Sequence, residues 1–236
     1  MKINILQGIE GAKQAKGVAV IIDVFRAFTV EMYLMKNQAY KIIPVADLDY
    51  VYSYKQEHPE VILIGERNGK ILPGFDYGNS PSDVDKVDFT NKAILHTTSA
   101  GTQGIMNAKN ADVILTGALV NAKAIASYIL QNAFEEVSLV CMGLSGIEET
   151  EEDTLCAKYI ESILVGNELN ISREIEQLKY TSGAKFFDET QVDFPLDDFA
   201  YCTQLNIFDF VLQVEMVDVP YMKRVDVYEN NNIRIK

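Results

Sequence analysis

The chain has 236 residues, 34 of them acidic and 21 basic, for a formal net charge of −13, and 48% of it is hydrophobic. This is globular composition, not the apolar-poor mixture of a disordered chain. The acidity argues against a nucleic-acid partner or an anionic membrane, both of which need clustered Lys and Arg. A small anionic substrate stays open, because local fields outweigh total charge at a pocket.

No apolar run reaches the ~18 residues of a membrane span, and the first eight residues lack the apolar core of a signal peptide. Cys141, Cys156 and Cys202 are odd in number and show no C-x-x-C spacing. A reduced, cytoplasmic chain is therefore expected.

In chain order, residues 18–24 are continuously apolar and read as a buried strand. A helix is expected through 29–35, then a strand over 39–45. Residues 48–57 read as a helix with Asp47 as its N-cap, and 61–64 as a third short strand. The stretch 65–81 then holds four glycines and two prolines among polar residues. Such an irregular stretch inside a compact domain is usually functional or mobile.

Periodicity resumes with a strand at 93–96, a helix at 103–108, a strand at 112–115 and a helix at 122–131. A strand at 137–141 and a helix at 151–164 follow. Helices at 173–179 and 196–204 and a late strand at 208–214 are expected beyond. This βαβα alternation predicts an α/β fold with a largely parallel or mixed sheet layered between helices. One domain over 1–236 is expected, with a less regular C-terminal part from about residue 166. Nothing in the sequence fixes the oligomeric state, and a homo-oligomer is compatible with it.

Ligands of such sheets bind beyond the carboxyl ends of strands, and the unusual segments fall there. Asp23 and Arg26 follow one strand. Glu66 and Arg67 follow another, and the Gly-, Pro-rich run 73–81 contributes Asn79 and Ser80. Thr98, Ser99, Gly101 and Thr102 join a strand to a helix, where hydroxyls and freed amides suit an anion. Asn121 opens one helix as an expected N-cap, and Thr150 opens another whose first turn carries Asp153. The acidic runs 148–153 and 193–198 read as solvated. His96 reads as a packed imidazole.

The inventory excludes several chemistries. There is no Gly-x-x-x-x-Gly-Lys-Ser/Thr and no Gly-x-Gly-x-x-Gly. No Cys has an Arg six positions on. With only His58 and His96, a histidine-rich zinc centre is out of reach. Carboxylates, arginines, hydroxyls and amides remain, which suits Mg²⁺-assisted chemistry.

Taken together the segments resemble one family. Ile22-Asp23-Val24-Phe25-Arg26-Ala27 resembles the "IDVLRA" signature of 2-phosphosulfolactate phosphatases. Gly65-Glu66-Arg67-Asn68-Gly69 with Pro73-Gly74-Phe75-Asp76-Tyr77-Gly78-Asn79-Ser80-Pro81 resembles its "GERxG…GFDxGNSP". Thr97-Thr98-Ser99-Ala100-Gly101-Thr102 resembles "TTxNGT". The segments beginning at Asn121 and Glu152 resemble its later blocks. The likeness runs in order from about residue 23 to 164. Phe25, Phe28 and Ala100 stand where the pattern more commonly has Leu, Thr and Asn.

The resemblance implies a Mg²⁺-dependent α/β phosphatase that converts (2R)-2-phospho-3-sulfolactate to 3-sulfolactate and phosphate, a step of coenzyme M biosynthesis in methanogens. Asp23, Glu66 and Asp153 are then the expected metal ligands, and Arg26 and Arg67 the cations that neutralise the anion. Catalysis falls to Asp23, Arg26, Glu66 and Arg67. Substrate contacts are expected from Asn79, Ser80, Thr98, Ser99, Gly101, Thr102 and Asn121. A phosphatase for another small phosphorylated hydroxyacid, or a non-catalytic binder of sulfonate or phosphate, fits the same residues.

Overall fold

Apolar runs that the sequence reading makes strands become the middle of one ten-stranded sheet in the computed structural model, which describes residues 1–227. The first elements are β1 (Lys2–Gln7), α1 (Gly8–Gln14), β2 (Gly17–Ile22), α2 (Ala27–Lys36), β3 (Lys41–Pro44), α3 (Leu48–Glu57), β4 (Ile62–Arg67), β5 (Lys70–Ile71) and the one-turn α4 (Pro81–Val84). Then come β6 (Ala93–Thr97), α5 (Gly101–Asn107), β7 (Ala111–Gly117), α6 (Ala122–Gln131), β8 (Glu136–Cys141) and α7 (Glu151–Leu164). The chain continues through α8 (Ser172–Leu178), a 3-10 turn (Ala184–Phe187), α9 (Leu196–Thr203), β9 (Phe210–Glu215) and β10 (Tyr221–Asp226).

Local chemistry explains the elements that agree with expectation. Helices α3, α6 and α7 have the expected bounds. Asp47 caps α3, its Oδ1 accepting from the Asp49 and Tyr50 amides at 2.9 and 3.4 Å. Strand β2 is apolar throughout because β7 and β8 flank it in parallel and helices cover it. Helix α2 is buried from Ala27 to Met35, which is why its sequence is apolar on nearly every face. Thr150 takes the N-cap position of α7, but its side chain does not cap. Elements β1, α1 and β10 lie where no element is expected.

The sheet order is β1-β8-β2-β7-β9-β10-β3-β6-β4-β5. Strands β1, β8, β2 and β7 form one parallel block, and β3, β6 and β4 another. The late hairpin β9–β10 joins them through antiparallel contacts to β7 and β3. Three antiparallel steps in succession make the two blocks run in opposite senses. Five strand-to-strand steps separate β2 from β6. Ordinary twist turns each step by about 20–25°, so the blocks rotate by roughly 100–125° across that span. This swings the carboxyl ends of β2, β4 and β6 toward one another, and residues after all three line one cavity. The last two described strands, from the C-terminal third, complete the middle of the sheet.

Candidate active site

A cavity of about 370 Å³ opens where those strand ends converge. Of the expected site residues, Asp23, Arg26, Glu66, Asn79 and Ser99 line it. Asp23 leaves β2 as the chain turns toward α2, and its Oδ1 accepts from the Ala27 amide at 3.3 Å. Its Oδ2 has no hydrogen-bond partner among the described residues. Helix α5 begins hard against it: a Cβ on Gly101 would lie 3.0 Å from Asp23 Oδ2 and 2.8 Å from the Phe28 ring. Only glycine lets this backbone come so close. Burial, then repulsion from Glu66, raises the Asp23 carboxyl from its ordinary 3.8 to about 7.

Glu66 and Arg67 are consecutive on β4, so their side chains point to opposite faces. Glu66 faces the cavity and is seated by three donors. The Ser99 amide donates to Oε1 at 2.7 Å, the Gly69 amide to Oε2 at 2.7 Å and Ser99 Oγ to Oε2 at 3.1 Å. Arg67 is turned away, its guanidinium donating to Thr97 Oγ1 at 2.9 Å and to the Glu66 carbonyl at 2.7 Å. The expected role of Arg67 as an anion clamp is corrected by this alternation, since Arg67 does not line the cavity.

Arg26 is 4% exposed and already engaged. Its Nη1 donates to Asp198 Oδ2 at 2.7 Å and to the Asp193 carbonyl at 2.9 Å, while Nη2 reaches the Gly69 carbonyl at 3.3 Å. Its guanidinium also lies over the Phe194 ring at 4.6 Å. Asp198 was expected in a solvated run, yet its side chain is fully buried. Sequence reading missed it, and with it Lys185 and Phe194, which line the cavity from the C-terminal third.

Other expected contacts build the walls rather than face the cavity. Ser80 Oγ donates to Asp198 Oδ1 at 2.9 Å. Thr98 and Thr102 bond each other, the Thr102 amide donating to Thr98 Oγ1 at 3.0 Å and Thr102 Oγ1 to the Thr98 carbonyl at 3.1 Å. Asn121 is buried, takes the N-cap position of α6 without capping it, and accepts from the Ala118 amide at 3.0 Å. Asp153 is also spent internally. Its Oδ1 accepts from the Val24 amide and its Oδ2 from the Gly143 amide, both at 2.8 Å, so it ties the loops after β2 and β8 together. Burial, with Glu152 and Asp23 nearby, lifts its carboxyl well above the ordinary range.

His96 is fully buried. Its Nδ1 lies 2.8 Å from Glu31 Oε1 and its Nε2 2.9 Å from Asn79 Oδ1. Both nitrogens are engaged, so the ring is held within the protein and does not line the cavity. The arrangement fixes the Asn79 amide at the cavity wall, with Nδ2 unpartnered among the described residues.

The residues present fit Mg²⁺ in one way. Among the described residues no three His, Cys, Asp or Glu side chains form a metal-binding group. A closed protein cage is thus absent from this set. Asp23 and Glu66 supply hard carboxylate oxygens beside one cavity, and their mutual repulsion is what a cation relieves. That matches Mg²⁺, which takes one or two carboxylates and fills its remaining positions with water and phosphate oxygens.

The fold and cavity define an α/β protein with an oxygen-rich, partly acidic site for a small polar ligand. Residues 3–216 match the family model described as 2-phosphosulpholactate phosphatase. A Bacillus subtilis protein described as a probable 2-phosphosulfolactate phosphatase is 33% identical over 230 residues, covering 95% of this chain and 99% of its own. A Clostridium perfringens protein of the same description is 29% identical, with 90% and 93% covered. A Caldicellulosiruptor saccharolyticus protein, also so described, is 36% identical over 155 residues, 63% of each chain. The chain belongs to the 2-phosphosulpholactate phosphatase family of phosphoric monoester hydrolases.

Proposed function

We propose that this chain hydrolyses (2R)-2-phospho-3-sulfolactate to 3-sulfolactate and phosphate with the help of Mg²⁺. The observation that carries the reading is the meeting of Asp23 and Glu66, from oppositely running blocks of the sheet, on one cavity. Family membership supplies the substrate class.

Asp23 and Glu66 would hold the ion. When bound, Mg²⁺ supplies charge neutralisation for the phosphoryl oxygens. Glu66 arrives fixed by Ser99 and Gly69, so it needs no reorganisation on binding. Asn79 Nδ2 offers a neutral donor held by His96. In the reaction the phosphorus–oxygen bond to the C2 oxygen breaks. Water adds its hydroxyl to phosphorus, and its proton ends on the released C2 alkoxide. The chain's part is positioning and electrostatic stabilisation.

The test is phosphate release from 2-phosphosulfolactate beside 2-phospholactate and phosphoglycolate, with Mg²⁺ and after chelation. The expected result is preference for phosphosulfolactate, loss on chelation, and a drop of at least about 10³-fold in kcat for Asp23→Asn with the fold intact. Equal rates on all three substrates reject the substrate. Turnover unaffected by chelation rejects the metal.

A further inference from the structure

We propose that Lys185 is the cation that receives an anionic group of the substrate in this cavity. The inference rests on the phosphatase reading and deepens it, by moving the charge-neutralising role from the two expected arginines to a residue of the C-terminal third.

Three cationic side chains bear on the question, and their surroundings separate them. Arg26 lines the cavity, but its charge is cancelled by Asp198 at 2.7 Å, and Nη1 and Nη2 also donate to the Asp193 and Gly69 carbonyls. Arg67 bonds Thr97 on the far face of β4. Lys185 lines the cavity as well, from the 3-10 turn Ala184–Phe187. Its ammonium has no hydrogen-bond or ion-pair partner among the described residues.

Lys185 is nonetheless held in place. Its Nζ lies 5.1 Å from the centre of the Phe194 ring, 5.6 Å from Phe186 and 5.7 Å from Phe25. The rings brace one another, Phe25 against Phe186 at 5.1 Å and Phe186 against Phe194 at 5.8 Å. Ring faces attract a cation and displace its water, yet provide no acceptor lone pair. The three N–H donors of the ammonium are therefore unsatisfied by the cage. Glu152 feels the Lys185 charge but forms no ion pair with it. A half-buried ammonium, stripped of part of its hydration and pointed by rings at a cavity, is built to meet an anion.

Electrostatics favour the role. Asp23 and Glu66 repel a polyanionic substrate from the same cavity, and Arg26 is already neutralised. Lys185 is the remaining protein charge there to oppose them. Phe25 contributes the third ring of the cage.

The experiment uses the full chain in Mg²⁺-containing buffer, comparing wild type, Lys185→Met and Lys185→Arg. Calorimetric titration with inorganic sulfate and with inorganic phosphate reads anion binding without turnover. Lys185→Met should bind both at least about tenfold more weakly, the value of a charged hydrogen bond. Lys185→Arg keeps the charge and stacks on rings, so it should recover most of the loss. KM for phosphosulfolactate should follow the same order.

Wild-type affinity in Lys185→Met, a loss in Lys185→Arg as large as in Lys185→Met, or no anion binding by the wild type overturns the inference. So does a turnover defect with KM unchanged. If the wild type leaves phosphosulfolactate intact while sulfate and phosphate binding still depends on Lys185, the phosphatase reading falls and this inference stands.

Discussion

Asp198 gathers two distant segments on one carboxylate. Oδ2 takes Arg26 Nη1 at 2.7 Å, and Oδ1 accepts from Ser80 Oγ at 2.9 Å, Ser82 Oγ at 2.6 Å and the Ser82 amide at 3.1 Å. Both charged side chains are almost fully buried. Removing one partner of such a pair strands the other in a medium that solvates it poorly. We expect Asp198→Ala to lower stability by about 3–5 kcal/mol in urea unfolding. Asp198→Asn should lose less, since its amide oxygen still accepts from the serines. A loss under about 1 kcal/mol for the alanine variant would mean that water reaches Arg26 freely. The signal available for its burial was the apolar face of α9, which Asp198 shares with Phe199 and Cys202. Its partner was not legible, because Arg26 lies 172 positions away.

The β4–β5 hairpin shows how one element sets several site contacts. Its turn is Asn68-Gly69, both with positive φ, 54° and 79°. The turn puts the Gly69 amide on Glu66 and the Gly69 carbonyl on Arg26. A Cβ on Gly69 would fall 2.2 Å from the Phe194 ring, one wall of the lysine cage. Gly69→Ala therefore meets backbone strain and a collision together. It should destabilise the protein by more than about 1 kcal/mol in urea unfolding and raise KM. An unchanged KM would show that Phe194 can retreat without disturbing the cage.

This hairpin also marks where sequence reading stopped short. A strand ended at residue 64 leaves Glu66 and Arg67 side by side in a loop, whereas β4 runs to Arg67 and separates them by face. The Asn-Gly dipeptide was the available signal. Helices α3 and α7 were legible to the residue because their information is local, a cap in one and an apolar stripe in the other. Asp153 and Lys185 were not, since contacts from distant segments decide their roles.

At the scale of the molecule, the net charge of −13 hides a second population of acids. Asp23, Glu152 and Asp153 are enclosed, and burial is the first cause of the raised pKa of each. A carboxyl raised in the folded state binds its proton there at pH values where the unfolded chain has lost it. Its contribution is therefore full at low pH and is lost as pH rises, for Asp23 between 3.8 and about 7. We expect the metal-free protein to melt at progressively lower temperature from about pH 5 to about pH 8. Mg²⁺ should raise the melting temperature strongly at the upper end and little at the lower. Asp23→Asn should flatten both trends in calorimetric scans. A melting temperature that climbs over this range in chelator would contradict the assignment.

Among the described residues the hairpin β9–β10 comes last in sequence, yet it sits in the middle of the sheet. During synthesis the ribosome delivers both half-sheets first, with β7 and β3 as bare edges awaiting strands still to be translated. Open apolar edges invite pairing with other chains. The nascent protein is therefore most prone to aggregate in the interval before the hairpin is made. Asp23 and Glu66 belong to different half-sheets, so a prematurely terminated chain has no joined cavity in which to bind a substrate. Synthesis of the hairpin is itself the step that joins the two halves of the site.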